Sequence, residues 1–544
     1  MKEEQQEEIY DYIIIGSGFG GSVSAMRLAE KGYSVLVIEK GKRYEAKDFP
    51  KTDWDIKRFL WAPLMKCFGI QQLSFFKEVF ILSGVGVGGG SLVYGNTHMI
   101  PGKDFFESEN WSRYGNWEQR LMPFYNLAKY MLGTIPYDRF AREDEILKEI
   151  AEDMGRGDSF GGVNVGVYYG DTQKAVDPYF NGLGPERTGC VECAGCFVGC
   201  RHGAKNSLDK NYLYFAEKFG AKILAETSAD GISFENGEYS IETSSSTSWG
   251  RKKQRTFKSK GLVVSGGVLG SMNLLLKHKY EKKTLTGLSD KLGINIRTNS
   301  ESICGVTNID EKVNHGIAIT SYFNPDQNTH IEVCKYNDES GVMGRLAVLA
   351  TGEGNGFVRS AKLLGNVVTK PWQAFKAATN VRWGKNSLVI LVMQSLDSSM
   401  KMVWKKRLFG GGKIAFDNTA NDGARVPAYI DIGQKVIDSY AKKTGGTAIN
   451  SVSEVVFNTA VTAHILGGCP MGDSAETGVV NEKFEVHGYP NMYVLDGSII
   501  PHNLGVNPSL TITALSEWAM SHVKEKEGNT SQTLEQQIAA LENL

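Results

Sequence analysis

Hydrophobic positions near the start of this chain first fall into a short buried-strand pattern, Tyr10-Asp-Tyr-Ile-Ile-Ile-Gly16, and then change period. Gly16-Ser17-Gly18-Phe19-Gly20-Gly21 opens a stretch with helical spacing over residues 22–31, and a second apolar run, 34–38, ends on Glu39. Strand, glycine turn, helix and strand in this order predict a parallel βαβ unit. Its glycines let backbone N–H groups approach a pyrophosphate at a helix N-terminus. Glu39 stands eighteen positions after Gly21, where an acid grips an adenosine ribose.

Further along, the patterning predicts helices over 111–130 and 208–219. Asn236-Gly237 marks a hairpin within 232–242, since that pair suits a type I′ turn. The strand-like run 261–264 enters a glycine turn, and the helix after it carries Leu274, Leu275 and Leu276. Ser83-Gly-Val-Gly86-Val-Gly88-Gly89-Gly-Ser91 is a backbone permissive enough to pass close to a ligand. Residues 301–460 lose the βα rhythm, and from Asn458 the glycine-rich, strand-like character returns.

The expected fold is therefore α/β, with α+β character in its second part: a Rossmann-like dinucleotide domain, discontinuous in sequence, and a mixed-sheet substrate domain. The expected boundaries are 8–300 for the first part of the dinucleotide domain, with excursions near 45–80 and 110–180. The substrate domain spans 301–457, the return 458–525, and a terminal tail 526–544.

At 544 residues the chain is long enough for two or more domains, and 41% hydrophobic with 22% charged residues is a globular composition. Sixty basic against 61 acidic residues leave a net charge of −1, which gives no global field for nucleic acid. The acidic N-terminus lacks an apolar signal core, and no apolar run is long enough to span a bilayer, so a cytoplasmic protein is expected. Eight cysteines are too few for a disulfide scaffold in a chain this long.

Four of them, Cys190, Cys193, Cys196 and Cys200, have the spacing of a ferredoxin cluster loop. Arg201 stands where such loops carry proline, and no second run supplies partners. The run is thus either the ligand set of an iron–sulfur cluster or a structural turn. From Arg359 to Arg407 ten Lys or Arg residues accompany a single acid, Asp397, with Trp372, Phe375, Trp383 and Trp404 interleaved and an apolar run at 388–393. That mixture suits peripheral contact with an anionic membrane, at the inner membrane face for a cytoplasmic protein. The alternative is a solvated lid whose apolar run is a core strand.

Near the C-terminus, Thr462-Ala-His464-Ile-Leu-Gly-Gly-Cys-Pro-Met-Gly472 is followed by Asp496-Gly497 and by Gly505-Val-Asn507-Pro508-Ser509. Together with the glycine run and the N-terminal fingerprint, these motifs resemble the glucose–methanol–choline oxidoreductase family, nearest its cholesterol-oxidase-like branch. The resemblance spans most of the chain and implies FAD as cofactor. It implies hydride transfer from an alcohol CH–OH to flavin N5, with oxygen or an electron carrier as the final acceptor. His464 maps to the family's histidine at the alcohol oxygen, a role that suits imidazole near neutral pH. Asn507 maps to the asparagine beside it, and Asp496 and Gly497 to the turn along the ribityl chain. Ser91 and Asn96 map close to the flavin ring or pyrophosphate. Sterol-oxidising relatives add a glutamate as second base, for which Glu332 is the candidate; a solvated strand glutamate is the competing reading. Tyr94 stands where those relatives carry asparagine.

The expected activity is oxidation of a hydrophobic alcohol, a sterol or long-chain alcohol. The alternatives are a dehydrogenase of a smaller alcohol or sugar that passes electrons to a carrier, and an electron-transfer or sensor flavoprotein without a substrate of its own.

Overall fold

The computed structural model describes residues 9–248, 253–407, 410–417 and 426–542; the acidic segment 1–8 lies outside the described residues. Ile9–Ile15 is the central strand of a parallel sheet, flanked by Val35–Ile38 and by Gln254–Val264. Lys222–Leu224 extends the sheet beyond Val35–Ile38, and Met492–Val494 pairs in parallel with the C-terminal half of Gln254–Val264. The latter strand is longer than its apolar run. Its N-terminal half pairs antiparallel on its other edge with Glu238–Ser245, which closes the Asn236-Gly237 hairpin with Thr227–Glu235, so the sheet is mixed. Both turn residues have positive φ (53° and 80°), as a type I′ turn requires.

The fingerprint helix, Phe19–Glu30, is buried along nearly its whole length. It carries a buried Arg27 that pairs with Glu30, with Glu517 of helix Ser509–Ser521 and with Glu535 of the terminal helix Leu534–Glu542. Such a buried charge is costly to leave unpaired, by about 3–5 kcal/mol, so the cluster docks the tail onto the core.

Two expected helices start late. The segment from Trp111 holds a short 3-10 turn, Ser112–Tyr114, and becomes α-helical at Trp117–Met131, where Asn116 caps it by accepting a bond from the Gln119 N–H (3.0 Å). The 208–219 segment splits into a short 3-10 turn, Leu208–Lys210, and Tyr212–Lys218, where Asn211 caps the second piece.

A second sheet of seven strands is antiparallel throughout. Its order is Ala347–Leu349, Thr447–Ser451, Ser302–Thr307, Leu388–Gln394, Thr329–Cys334, Ile319–Phe323 and Gly161–Gly162. Alternation divides its faces. Val306, Ile331, Val333, Ile390 and Val392 pack beneath helices Arg142–Asp153 and Asp431–Thr444. Ile303, Cys334, Val389 and Leu391 point the other way, into a cavity shared with the parallel sheet. The apolar run at 388–393 is thus a central, buried strand, which removes it from any membrane surface. Among the described residues no helix is long and apolar enough to cross a membrane.

Candidate active site

One cavity of about 630 Å³ runs from the glycine turn after Ile9–Ile15 to the inner face of the antiparallel sheet. At its first end the glycines divide into two kinds. A Cβ on Gly20 would lie 1.7 Å from the Leu495 carbonyl oxygen, and one on Gly21 2.0 Å from that of Gly16, so these two permit backbone-to-backbone packing. Gly18, Gly267 and Gly270 line the cavity, and a Cβ on any of them would meet nothing within 4 Å. Open space over three backbone positions, beside the start of Phe19–Glu30, is the cradle an elongated dinucleotide fills.

Glu39 is buried at the tip of Val35–Ile38. One carboxylate oxygen accepts from the Ser17 N–H (3.1 Å) and hydroxyl (2.8 Å), the other from the Gly41 N–H (2.8 Å). Ser17 in turn joins the two glycine segments: its hydroxyl accepts from the Gly88 N–H (3.1 Å) and lies 3.3 Å from the Gly86 carbonyl oxygen. Gly89 sits so close to Gly18 that a Cβ would come within 2.7 Å of it. Asp496 lines the cavity with Gly497, accepting from the Ser498 N–H (2.8 Å) and the Ser271 hydroxyl (2.5 Å). Burial pushes its carboxyl up.

Ser91 and Asn96 do not line the cavity. The Ser91 hydroxyl donates to the Gly88 carbonyl (2.7 Å) and accepts from the Leu208 N–H (3.1 Å), so it is consumed in holding the turn. Asn96 is fully buried with positive φ, and its amide has no partner among the described residues; its neighbours Gly95 and Thr97 line the cavity instead.

At the other end the cavity becomes an apolar chamber, walled by Phe197, Ile303, Met343, Trp383, Leu391 and Ile449. His464 and Asn507 both line the cavity where cleft and chamber meet. His464 follows the short strand Ala460–Thr462, which pairs with Val79–Gly84, and Asn507 immediately precedes helix Ser509–Ser521 by way of Pro508. Ser509 fixes that entry by donating to the Thr97 carbonyl (3.0 Å). Asn507 Nδ2 donates to Glu332 Oε2 (3.2 Å), while its Oδ1 has no partner among the described residues.

Glu332 is fully buried, which overturns the solvated reading. It shares the chamber-side parity of its strand with Cys334, and its second oxygen meets His330 Nε2 at 3.2 Å. Lys335, directly after the same strand, is also buried. It donates to Glu143 (3.0 Å), the Thr320 hydroxyl and the His315 carbonyl.

A residue the sequence did not single out, Glu301, lies against His464 Nδ1 with no exposure, and its other oxygen accepts from the Ala463 N–H (2.8 Å). Burial alone would lower the His464 pKa, but the Glu301 carboxylate, with a further contribution from Glu332, outweighs it and raises the pKa above its ordinary value. Glu301 sits in a polar run, Asn299-Ser-Glu-Ser302, with no motif to flag it.

Of the two readings of the cysteine run, the structure favours the structural turn over the cluster site. Among the described residues no three His, Cys, Asp or Glu side chains are arranged to hold a metal ion. Cys193 is exposed, whereas Cys190, Cys196 and Cys200 pack into an apolar cluster with Phe197, Ile317 and Met393. Burial raises the Cys190 thiol strongly and the Cys196 thiol to about 11, against thiolate formation. The loop is instead tied down by Lys205, whose ammonium donates to the carbonyls of Leu92, Tyr94 and Cys196 (2.9–3.0 Å), and it delivers Phe197 to the chamber wall.

The basic stretch also divides. Arg359 is buried against Glu454 (2.7 Å), Trp383 faces the chamber, and Trp404 packs on the parallel-sheet core. Arg382, Lys385, Lys405, Lys406 and Arg407 are exposed, and so is most of a pair of helices, Gly356–Thr369 and Pro371–Thr379, in which Arg359 is the single buried residue.

The family model for GMC oxidoreductase matches residues 182–296 and 406–516, and one for an NAD(P)-binding Rossmann-like domain matches 14–44. A cholesterol oxidase of Mycobacterium tuberculosis is 42% identical over 530 residues, covering 94% of this chain and 90% of its own. A cholesterol oxidase of Acinetobacter baumannii is 40% identical over 544 residues, covering 97% and 96%. The solved structure of pyridoxine 4-oxidase from Mesorbium loti superposes with a TM-score of 0.58 at 14% identity, covering 94% of this chain and 98% of that one. The chain belongs to the GMC oxidoreductase family, whose members bind FAD, and is an FAD-dependent alcohol oxidase or dehydrogenase.

Proposed function

We propose that this enzyme oxidises the hydroxyl-bearing carbon of a sterol-class hydrophobic alcohol, with oxygen as the acceptor. The observation that carries the reading is the apolar chamber that opens directly onto His464 and Asn507. A sugar requires hydrogen-bonding groups along its whole length, and that wall supplies few. The two cholesterol oxidases similar over nearly the whole chain support the same substrate class. In this reading residues 8–300 and 458–525 hold the cofactor and 301–457 hold the substrate.

Gly18, Gly267 and Gly270 admit the dinucleotide, Glu39 and Asp496 flank it, and FAD when bound supplies N5 as the hydride acceptor. His464 takes the hydroxyl proton while the Asn507 amide holds the alcohol oxygen against it. Glu332, linked to Asn507, is placed to move a proton in a subsequent isomerisation. The apolar wall excludes water, which strengthens each of these polar contacts.

The test is anaerobic mixing with cholesterol, a long-chain primary alcohol and glucose, read by bleaching of the flavin absorbance. Bleaching by the sterol at least ten times faster than by the others (about 1.4 kcal/mol of selectivity) is expected. Equal or faster bleaching by glucose would sink the sterol reading, and no bleaching by any alcohol would sink the enzyme reading.

A peripheral membrane contact is favoured by the outward helix pair. Phe357 is 85% exposed, Val368 77% and Trp372 65%, beside Lys362, Lys370 and Lys376, and neither helix carries an acid. Each basic residue near an anionic surface contributes about 1 kcal/mol. A lipophilic substrate would then pass from bilayer to chamber past this helix pair, the second of which ends four residues before Trp383.

A further inference from the structure

We infer that Glu301 is the positioning residue for His464: it holds the Nδ1 side of the ring by its carboxylate, so that Nε2 is left free to accept the alcohol proton. The inference rests on the proposed role of His464 and adds a residue that fixes its tautomer and charge.

Three observations converge on it. Glu301 is fully buried and spends one oxygen on His464 Nδ1 and the other on the Ala463 N–H, so ring and backbone are gripped together. The backbone around the ring is fixed from the same segment. Arg297 exchanges two main-chain bonds with Leu466 (2.8 and 2.9 Å), and the Thr462 hydroxyl donates to the Thr298 carbonyl (3.0 Å) while accepting from the His464 N–H (2.8 Å).

The third observation is strain. Asn299 and Ser300 are consecutive non-glycine residues in the left-handed region, with φ of 58° and 46°, a conformation that persists only where its surroundings over-determine it. Here the Asn299 side chain does so. It accepts from the Leu504 and Gly505 N–H groups (both 2.9 Å) and donates to the Val506 carbonyl (2.9 Å). Five residues, 297–301, therefore clasp the loop that carries His464 and the loop that carries Asn507.

A carboxylate on one ring nitrogen keeps the proton there and stabilises the imidazolium formed when the other nitrogen accepts a second proton. The charged groups that bear on His464 are Glu301 from the clasp and Glu332 from the central strand. Glu301→Gln removes the nearer charge but keeps the volume, so the ring becomes a weaker base.

The experiment titrates the holoenzyme labelled with [15N]histidine, without any alcohol present. Nine histidines contribute, and His464→Gln identifies the relevant resonance. Glu301→Gln is expected to lower the His464 midpoint by about one pH unit or more, a tenfold change in proton affinity. The acid limb of kcat/KM for cholesterol should move to lower pH by the same amount, and the plateau of kcat should fall about 10²-fold. FAD content should stay at the wild-type level. Glu301→Asp, which retains the charge, should restore most of the midpoint. An unchanged His464 midpoint in Glu301→Gln, or loss of FAD in both variants alike, would overturn the inference. Because the titration needs no substrate, it stands or falls separately from the sterol reading.

Discussion

On the parallel sheet, bare glycine backbone meets the cavity. On the antiparallel sheet, buried carboxylates and apolar side chains meet it. Gly18, Gly267 and Gly270 leave open space over main chain, and the nearby acids Glu39 and Asp496 are occupied by protein donors. Across the cavity, Glu301 and Glu332 are wholly buried yet aimed at two side chains, His464 and Asn507, and the Asn507 Oδ1 has no partner among the described residues. A region that recognises a fixed, extended cofactor works best with rigid backbone donors at close range. A region that moves protons needs side chains whose charge its neighbours can tune.

The strongest way to break the backbone half is Gly20→Val. Its added Cβ falls inside the Leu495 backbone, so the turn cannot close, and purified protein should contain less than about a tenth of the wild-type FAD. Near-normal FAD content would show that the turn can shift.

Next in size, His464→Ala should retain FAD while kcat falls about 10²- to 10⁴-fold, the usual range for a lost acid–base group, and should melt below wild type because Glu301 is left buried without its partner. Stopped-flow flavin reduction checks it, and an unchanged rate removes His464 from the chemistry.

Arg359→Met probes the buried ion pair that anchors the first outward helix. It leaves Glu454, otherwise bonded among the described residues only to Ser302 (3.2 Å), buried beside an apolar side chain, and should cost about 3 kcal/mol in urea unfolding with smaller effects on FAD binding. Replacing Glu454 by Gln in the same protein should recover part of that loss.

The smallest effect on the folded protein is expected at the outward helices. Trp372→Ser combined with neutralised Lys362, Lys370 and Lys376 should change stability by no more than about 0.5 kcal/mol, since all four side chains lie outside the core. Flotation with anionic phosphatidylserine vesicles should nevertheless drop several-fold. Equal flotation would end the membrane reading and leave the helices as a solvated lid.

The backbone half was largely legible in the sequence. Strand, turn and helix there are contiguous, so Gly16 to Gly21 and Glu39 declare one another at fixed spacing, and Asn236-Gly237 encodes its own turn. His464 and Asn507 were legible through motifs that resemble a family. Glu301 was not, because its partner is 163 positions away and its own neighbourhood has no pattern. The cysteine run left two readings open for the converse reason. Its spacing suits a cluster, but Lys205 and the surrounding apolar side chains fold the loop into a packing element. Likewise ten basic residues in one stretch read as one surface, until the fold sends Arg359 inward and the apolar run into the centre of a sheet.

The sequence by itself determined where backbone must approach closely and which local turns form, since those depend on φ, sterics and neighbours a few residues apart. Tertiary structure alone decided which charges are buried and what they face. Desolvation and pairing depend on three-dimensional distance, and here they place Glu301 behind His464, Glu332 behind Asn507 and an apolar chamber in front of both.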